Sequence, residues 1–598
     1  MTNSNLNDCF YVIINLVRSM TLKWNLDELF KSDNEFYEEI ENIKKLLEDI
    51  QKYRETTLDE NSLFEILSKK WKIKEKANNI LVYGSLKYYQ NVNSEECKKL
   101  KSDAEEFNNE VNQALNFVEI KIIDLTRDVV NGFIEKNPKL STFSHYLDNL
   151  FRKEEHIQDD ETSSKIKNNL NEINEELKKY NNALSELKYG EVEIDGKIVE
   201  ITSSNLPPLL SSSNRETRKK VYFAINESLN DNRALFASIL DTIFKKRIEN
   251  SHLEGFDSVL DKVLFDENID PSIIDSLINT VHGNLSLLHE YYKVKTNPLD
   301  IDKPHMYDLD VPLSNDLEIR FTTEEAIEII RGAFKPLGKE YLKVVDCLLD
   351  GHIDAELDEN KHDSITFSWH TYSFMNFRGR YIDLKNMIHE IGHIVNYYLS
   401  KKELPFIYED STVFVGETAS IVNEILLNRY LYEHAETDEE RIFYLSKEIE
   451  NYITSVFKQT MYTEYEKILY DYSEENTFSP EFLSSEFEKL VKEYYGDGIE
   501  YEDIKNNSWM RLGKLYRWSY YPYKYATGLI MASVVVDMIL NKKTLSSKDY
   551  VKFLSLGSSL YSLDLLKTIG IDLSNEDIIK NGFKVMEEDI ERLKDLTK

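Results

Sequence analysis

Residues 383–399 read DLKNMIHEIGHIVNYYL, and this stretch decides more than any other. Leu384, Met387, Ile388, Ile391, Ile394, Val395 and Leu399 recur at helical spacing, so the segment predicts a helix with a buried apolar face. On that helix His389 and His393 are four residues apart and share a face one turn apart. Their imidazoles can converge on one zinc ion at roughly 2.0–2.1 Å each. Glu390, beside the first histidine, can reach a water on that zinc and act as general base. A metal, a base and a reaction class, metal-assisted peptide hydrolysis, follow together. The bland alternative is an ordinary helix with two histidines and a surface glutamate. Histidine is scarce, 12 in 598 residues, and an HExxH string arises by chance in roughly a few per cent of chains this long.

A catalytic zinc needs a third protein ligand and keeps its fourth position for water. One known pattern places a third histidine at position 399, but that residue is Leu399, and the only later histidine is His434. The ligand is therefore expected to be a carboxylate, with Glu403, Glu409, Asp410, Glu417 and Glu424 as candidates. The run VFVGETASIVNEILLNRYL (413–431) reads as a second helix, with Val415, Thr418, Ile421, Val422, Ile425 and Leu426 as its buried stripe. Glu417 and Glu424 lie two turns apart on one of its faces. Acids on an apolar helix are costly to bury unless paired or metal-bound. A two-helix site follows, with Glu417 as ligand and Glu424 as the acceptor that orients a ligand histidine. The competing reading is a solvated acidic face.

With these residues in place the chain resembles oligoendopeptidase F, of the thimet-oligopeptidase family of zinc peptidases. That family carries HExxH and then E-x-x-S-x-x-x-E; here Glu417-Thr-Ala-Ser420-Ile-Val-Asn-Glu424 begins 24 residues after His393. The likeness extends along nearly the whole chain, through KWNLDELFKSDNEFYEEI (23–40), LVYGSLKYYQN (81–91), LSTFSHYLDNLFR (140–152), EIDGKIVEIT (193–202), SNRETRKKVY (213–222), PHMYDLDVPL (304–313) and AFKPLGKEYL (333–342). The resemblance implies one zinc ion per chain held by His389, His393 and Glu417, with Glu390 as base and Glu424 behind a ligand. It also implies a mainly α, two-lobed fold with a deep central channel and a small β element near the active site. Its substrates would be short unfolded peptides.

Two further stretches bear on mechanism. SITFSWHTYSFMNFRG (364–379) is rich in aromatic and β-branched residues and predicts a strand near 365–377. It resembles the family's His-Pro-Tyr/Phe run, which makes His370 a candidate substrate-binding residue, although by itself it reads more readily as a structural histidine. An edge strand there would pair with extended peptide through main-chain hydrogen bonds. SWMRLGKLYRWSYYPYKYATGL (508–529) resembles the family segment whose histidine and tyrosines donate to the developing oxyanion, each such donor being worth roughly 3–4 kcal/mol. If helical, it would put Tyr516, Tyr520 and Tyr523 on one face. Tyr523 is the candidate catalytic donor, with Tyr520 or Tyr521 as a second. An aromatic packing cluster is the alternative. The segment departs from the family at Lys514, which stands where a histidine is expected, after Gly513 in place of proline; Thr371 likewise replaces a proline. Lysine is a donor only, able to hold an oxyanion or a substrate carboxylate.

Composition is consistent with this reading. With 41% hydrophobic and 30% charged residues, and few glycines (19) and prolines (11), the chain suits a globular protein of long helices. A net charge of −34 argues against nucleic acid, which needs basic patches, and against anionic membranes. Cys9, Cys97 and Cys347 show no paired spacing and suit a reducing, cytoplasmic setting. The N-terminal MTNSNLNDCFYVIINLVRSM lacks the charge pattern of a signal peptide, and no membrane span is expected. GLIMASVVVDMIL (528–540), interrupted by Asp537, suits a buried helix. Three regions are read along the chain: an N-terminal helical lobe (1–185), a middle region (186–320) with a hairpin turning at Asp195-Gly196, and a catalytic region (321–598). The sequence sets no oligomeric state. Three rival readings remain: a zinc-retaining peptide-binding protein with weak turnover, motivated by Lys514; a processing peptidase for one leader or signalling peptide; and a helical scaffold with an accidental HExxH.

Overall fold

The computed structural model describes residues 22–313, 317–362 and 365–598. Cys9 and the N-terminal apolar run lie outside them. The elements used below are, in chain order, helices α1 (Glu60–Gln90), α2 (Glu95–Ile123) and α3 (Asp160–Glu186); strands β1 (Glu191–Ile194) and β2 (Lys197–Glu200); α4 (Arg215–Leu253); β3 (Ile353–Asp354), β4 (Phe367–Trp369) and β5 (Tyr372–Phe374); then α5 (Tyr381–Glu403), α6 (Val413–His434), α7 (Lys458–Ser473) and α8 (Pro522–Leu540). The mainly α class is as expected.

Backbone contacts group the chain into two units. The first comprises the chain through Glu155, Ile319–Leu427 and Leu545–Leu560; the second comprises His156–Glu318, Asn428–Thr544 and Tyr561–Lys598.

In the first unit, α1 begins at Asp59, whose carboxylate accepts from the amides of Asn61 and Ser62 while the Ser62 hydroxyl accepts from Asp59 N–H. This reciprocal cap satisfies amides that the first turn leaves open. Leu63, Ile66, Leu67, Ile73, Ala77 and Ile80 of α1 then meet Leu100, Ala104, Phe107, Val111 and Leu115 of α2 in one core. Each large apolar side chain so buried contributes about 1.5–3 kcal/mol. Tyr372 and Phe374 of β5 join that core.

The sheet order is β3-β5-β4, with β3 parallel and β4 antiparallel to β5. The single strand expected near 365–377 is thus a tight hairpin. It turns at His370-Thr371, and His370 takes φ 55°, a left-handed conformation that histidine tolerates better than most residues. The helix α6 also differs from its expected one-sided stripe. From Phe414 to Asn428 every residue except Glu417 is buried. Its polar residues are absorbed locally: the Thr418 hydroxyl donates to Phe414 O at 2.7 Å and that of Ser420 to Glu417 O at 2.9 Å.

In the second unit the predicted hairpin forms: β1 and β2 pair antiparallel, and Asp195 and Gly196 take φ 50° and 75°, as a two-residue I′ turn requires. The aromatic segment 508–529 does not form one continuous helix. A short helix Gly513–Arg517 ends, Tyr520 takes φ 48°, and α8 starts at Pro522. Proline suits a first helical position but cannot continue a helix through itself, so Tyr516 does not share a helix face with Tyr523. By length and apolarity α8 would suffice to cross a membrane, but it is the buried helix expected for this run. Most of it is buried within the protein: Leu529, Ala532 and Val535 are fully covered.

Candidate metal centre

The site rests on two helices of the first unit. The first turn of α5 is pinned by Asp383, whose Oδ2 accepts from the amides of Arg378 and Arg380 at 3.1 and 3.0 Å. Leu384, Met387, Ile388, Ile391, Ile394 and Val395 are fully buried, which fixes the rotation of α5 and turns His389 and His393 to one side. Gly392 then lets α6 approach. A Cβ on Gly392 would lie 2.4 Å from Ser420 Cα and 2.9 Å from Ala419 O, so only glycine admits the partner backbone. The glycine inside HEIGH therefore sets the distance between the histidines and the carboxylates of α6.

That approach brings His389, His393 and Glu417 together, with their candidate ligand atoms all within 4.8 Å of one another. The two Nε2 atoms are 3.1 Å apart, and Glu417 Oε2 is 4.0 Å from His389 Nε2. Neighbouring ligands in a tetrahedral zinc shell with bonds of about 2.05 Å are about 3.3 Å apart, so two imidazoles and a carboxylate here fit that ion. Of the five candidate carboxylates Glu417 alone joins the group. Glu409 instead accepts from the Tyr397 hydroxyl at 2.8 Å, and Glu403 is exposed at the end of α5.

Glu424 stands behind His389. Its Oε1 is 2.6 Å from His389 Nδ1 and its Oε2 is 3.0 Å from Lys385 Nζ. The bond to Nδ1 leaves Nε2 facing the centre. Burial would raise the Glu424 carboxyl, but Lys385 and His389 overcome it and hold it at about 2. Burial likewise pushes His389 down, and the Glu424 hydrogen bond, with the charges of Glu424, Glu390 and Glu417, lifts it to about 9. Burial and the neighbouring His389 push His393 down to about 3. Without a metal the proton therefore resides on His389, and an ion that binds there displaces it.

Glu390 is buried, and burial raises its carboxyl above the ordinary range, against the opposing pull of His389 and a hydrogen bond from Ser368. Sequence reasoning did not single out Ser368, on β4, or Lys385. For Lys385 a signal existed: it precedes His389 by one turn on the same helix. Asn423 was also passed over; its amide donates to Ile388 O at 3.3 Å and its Oδ1 accepts from the Tyr341 hydroxyl at 2.9 Å, fastening α6 to α5.

The remaining candidates have their own surroundings. His370, in the β4–β5 turn, stacks on Tyr397 with ring centroids 4.5 Å apart and has Nε2 2.6 Å from Asn78 Nδ2. Lys514, Tyr520, Tyr521 and Tyr523 belong to the second unit. Tyr523 is fully buried, and burial raises its hydroxyl well above the ordinary tyrosine value. Tyr520 donates its backbone N–H to Glu466 at 2.7 Å and stacks on Tyr470. Tyr521 packs on Trp518 and Tyr525, and the Lys514 ammonium sits 3.5 Å above the Tyr525 ring.

A helical fold that presents two histidines and a glutamate to one point, with a second glutamate beside them, has the donor set of a metallopeptidase. The model of Peptidase family M3 matches residues 208–585, more than half of the chain, and the chain belongs to that family. It is 28% identical to Oligopeptidase PepF of Bacillus subtilis strain 168 over 586 residues, covering 96% of this chain and 87% of that one. It is 26% identical to the chromosomal Oligoendopeptidase F of Lactococcus lactis subsp. cremoris, over 96% and 97% of the two chains. Among solved structures, one from Chlamydophila abortus superposes with a TM-score of 0.89 at 25% identity, covering 96% of this chain and 98% of that one. The oligoendopeptidase-F of Enterococcus faecium does so at 0.69 and 24%, over 94% and 99%, which speaks to the fold. The chain is thus a metalloendopeptidase.

Proposed function

We propose that this enzyme cleaves short unfolded peptides at internal bonds, with one zinc ion held by His389, His393 and Glu417. When bound, the ion would supply Lewis acidity to the scissile carbonyl and to an attacking water. Glu390 accepts the water's proton and delivers it to the leaving amine; a carboxyl raised by burial is better matched to that exchange near neutral pH than an ordinary one. Glu424 fixes the His389 tautomer, and Lys385 keeps Glu424 charged. Strand β4 pairs with β5 along one edge, and its other edge is the place for an extended substrate backbone. Tyr523, with Tyr520 or Tyr521, is assigned to the developing oxyanion. Its support is the family resemblance together with a hydroxyl that burial keeps protonated and hence a donor. Lys514 and His370 are assigned to substrate contacts on the resemblance alone. Cys97 and Cys347 are not joined in a disulfide, which supports a reducing, cytoplasmic setting.

The observation that carries this reading is the 3.1 Å approach of the two Nε2 atoms with Glu417 beside them. The test is digestion of a mixed library of short peptides with and without a zinc chelator, read by mass spectrometry. Chelator-sensitive cleavage at internal bonds is expected. Intact peptides after incubation with zinc-loaded protein would overturn the reading.

A further inference from the structure

The second unit contains a cavity of about 200 Å³ lined by Gln459, Tyr462 and Glu466 of α7 on one side and by Arg511–Leu515 and Pro522 on the other. Positions 459, 462 and 466 lie three and four residues apart, one face of a helix. A water occupies about 30 Å³ of liquid, so the space admits a long side chain.

Its polar atoms are unusual. Glu466 is fully buried, and its Oε2 has no hydrogen-bond partner among the described residues; neither does the buried Oε1 of Gln459. Both oxygens are held in place by bonds from their other atoms. Glu466 Oε1 accepts the Tyr520 amide at 2.7 Å. Gln459 Nε2 donates to Thr454 O at 3.1 Å. Thr454 lies in a π-helical turn, Ile453–Phe457, that directly precedes α7; such turns frequently mark functional sites. A buried acceptor left open costs about 1–3 kcal/mol, and here two such acceptors line one cavity. Burial pushes the Glu466 carboxyl up to about 8, against the opposing pull of the Tyr520 amide and of the Arg247 charge.

Three cations lie near, and each has other contacts: the Arg247 guanidinium, whose charge acts on Glu466, donates to Leu515 O and Tyr516 O, and Arg511 and Lys514, which line the cavity, face aromatic rings. Lys514 Nζ lies 3.5 Å above the Tyr525 ring, and the Arg511 guanidinium lies 5.8 Å from the Tyr189 ring; neither ring lines the cavity. A divalent cation would seek about six or more oxygens, against the two open ones here. An ammonium or guanidinium brings three to five N–H donors and matches them.

We propose that this cavity is a subsite for a cationic N–H donor of the peptide substrate, a lysine or arginine side chain or the amino terminus. The inference takes its ligand class from the peptide-cleaving function proposed above.

The test uses zinc-loaded enzyme and internally quenched peptides that differ at one position at a time, with lysine or arginine replaced by norleucine or citrulline, each with a free or an acetylated amino terminus. One charge-assisted contact should lower KM for the cationic peptide by about 10-fold or more. Glu466→Gln should abolish that preference while leaving kcat/KM on uncharged peptides unchanged, and Gln459→Leu should weaken it. A preference that tracks acetylation assigns the amino terminus; one that tracks the substituted position assigns the side chain. Calorimetric titration with agmatine, which carries both cationic groups, is a second readout. It should bind the wild type and not Glu466→Gln. Agmatine binding that depends on Glu466 in a protein that cleaves no peptide would uphold the subsite and sink the hydrolytic reading. Cleavage indifferent to charge, a charge preference that survives Glu466→Gln, or equal agmatine binding by both proteins would overturn the subsite.

Discussion

Glu424 on α6 and Glu466 on α7 are both carboxyls buried in helical surroundings, yet they are held in opposite states. Glu424 has Lys385 on one oxygen and His389 on the other and is held down at about 2. Glu466 has one backbone amide and an open oxygen and is pushed up to about 8. Burial penalises the charge in both cases; the cationic partner decides which way the group goes. A carboxylate with two cations is a fixed structural anion that orients a ligand. A carboxyl that feels the Arg247 charge without a hydrogen bond from it, and keeps an open oxygen, is a receptive acceptor.

Glu390 lies between these extremes, raised by burial but faced by His389, and the largest effect is expected there. Glu390→Gln should lower peptide hydrolysis by about 10³-fold with metal content unchanged by elemental analysis. Activity near wild type would remove it from the base role. Next, Glu424→Ala removes the shared anion and leaves His389 and Lys385 facing each other. Breaking such a buried pair costs about 3–5 kcal/mol, and loss of the histidine's orienting partner should weaken zinc binding roughly 10–100-fold, read by chemical denaturation and chelator competition. Gly392→Ala leaves all these groups in place but forces α6 away. It should destabilise the fold by about 1–3 kcal/mol and loosen the metal, and an unaffected melting curve would show that the helices are not in tight apposition.

The fourth expectation separates the two carboxyls by the sign of their pH response. Glu466, raised from an unfolded value of about 4.3, contributes stability that is complete below that value and lost as pH rises through about 8. Glu424, lowered to about 2, contributes stability present above about 4.3 and lost as pH falls towards 2. Glu466→Gln should therefore remove a decline of about 1.4 kcal/mol per pH unit between pH 5 and 8, so melting profiles of variant and wild type should diverge as pH rises. Parallel profiles would show Glu466 to be charged. The smallest effect is expected at Ser368→Ala: loss of its hydrogen bond lets the Glu390 carboxyl rise, moving the acid limb of kcat/KM to higher pH, with activity changed by less than about 10-fold.

Much of the centre is legible from spacing. His389 and His393 at i and i+4, and Glu417 and Glu424 at i and i+7, have their mutual placement fixed by the helix period. The hairpin at Asp195-Gly196 is legible because an I′ turn needs positive φ at both positions. Reading failed where a segment's periodicity was compatible with a break. Tyr516, Tyr520 and Tyr523 match a helix, but Pro522 starts a new one. Phe367–Phe374 matches a strand, but His370 turns it back. Ser368 escaped notice because its link to Glu390 crosses from a strand to a helix.

By itself the sequence determined the metal-binding residue types, their order within each helix and the resemblance that carries the family, because these depend on chain-local geometry. Only the tertiary structure decided how near α6 comes to α5, which of five carboxylates joins the histidines, and which buried acids keep their charge. It alone revealed two open oxygens lining one cavity. Those outcomes depend on distances between elements and on the water that packing excludes, and neither quantity is encoded in spacing along the chain.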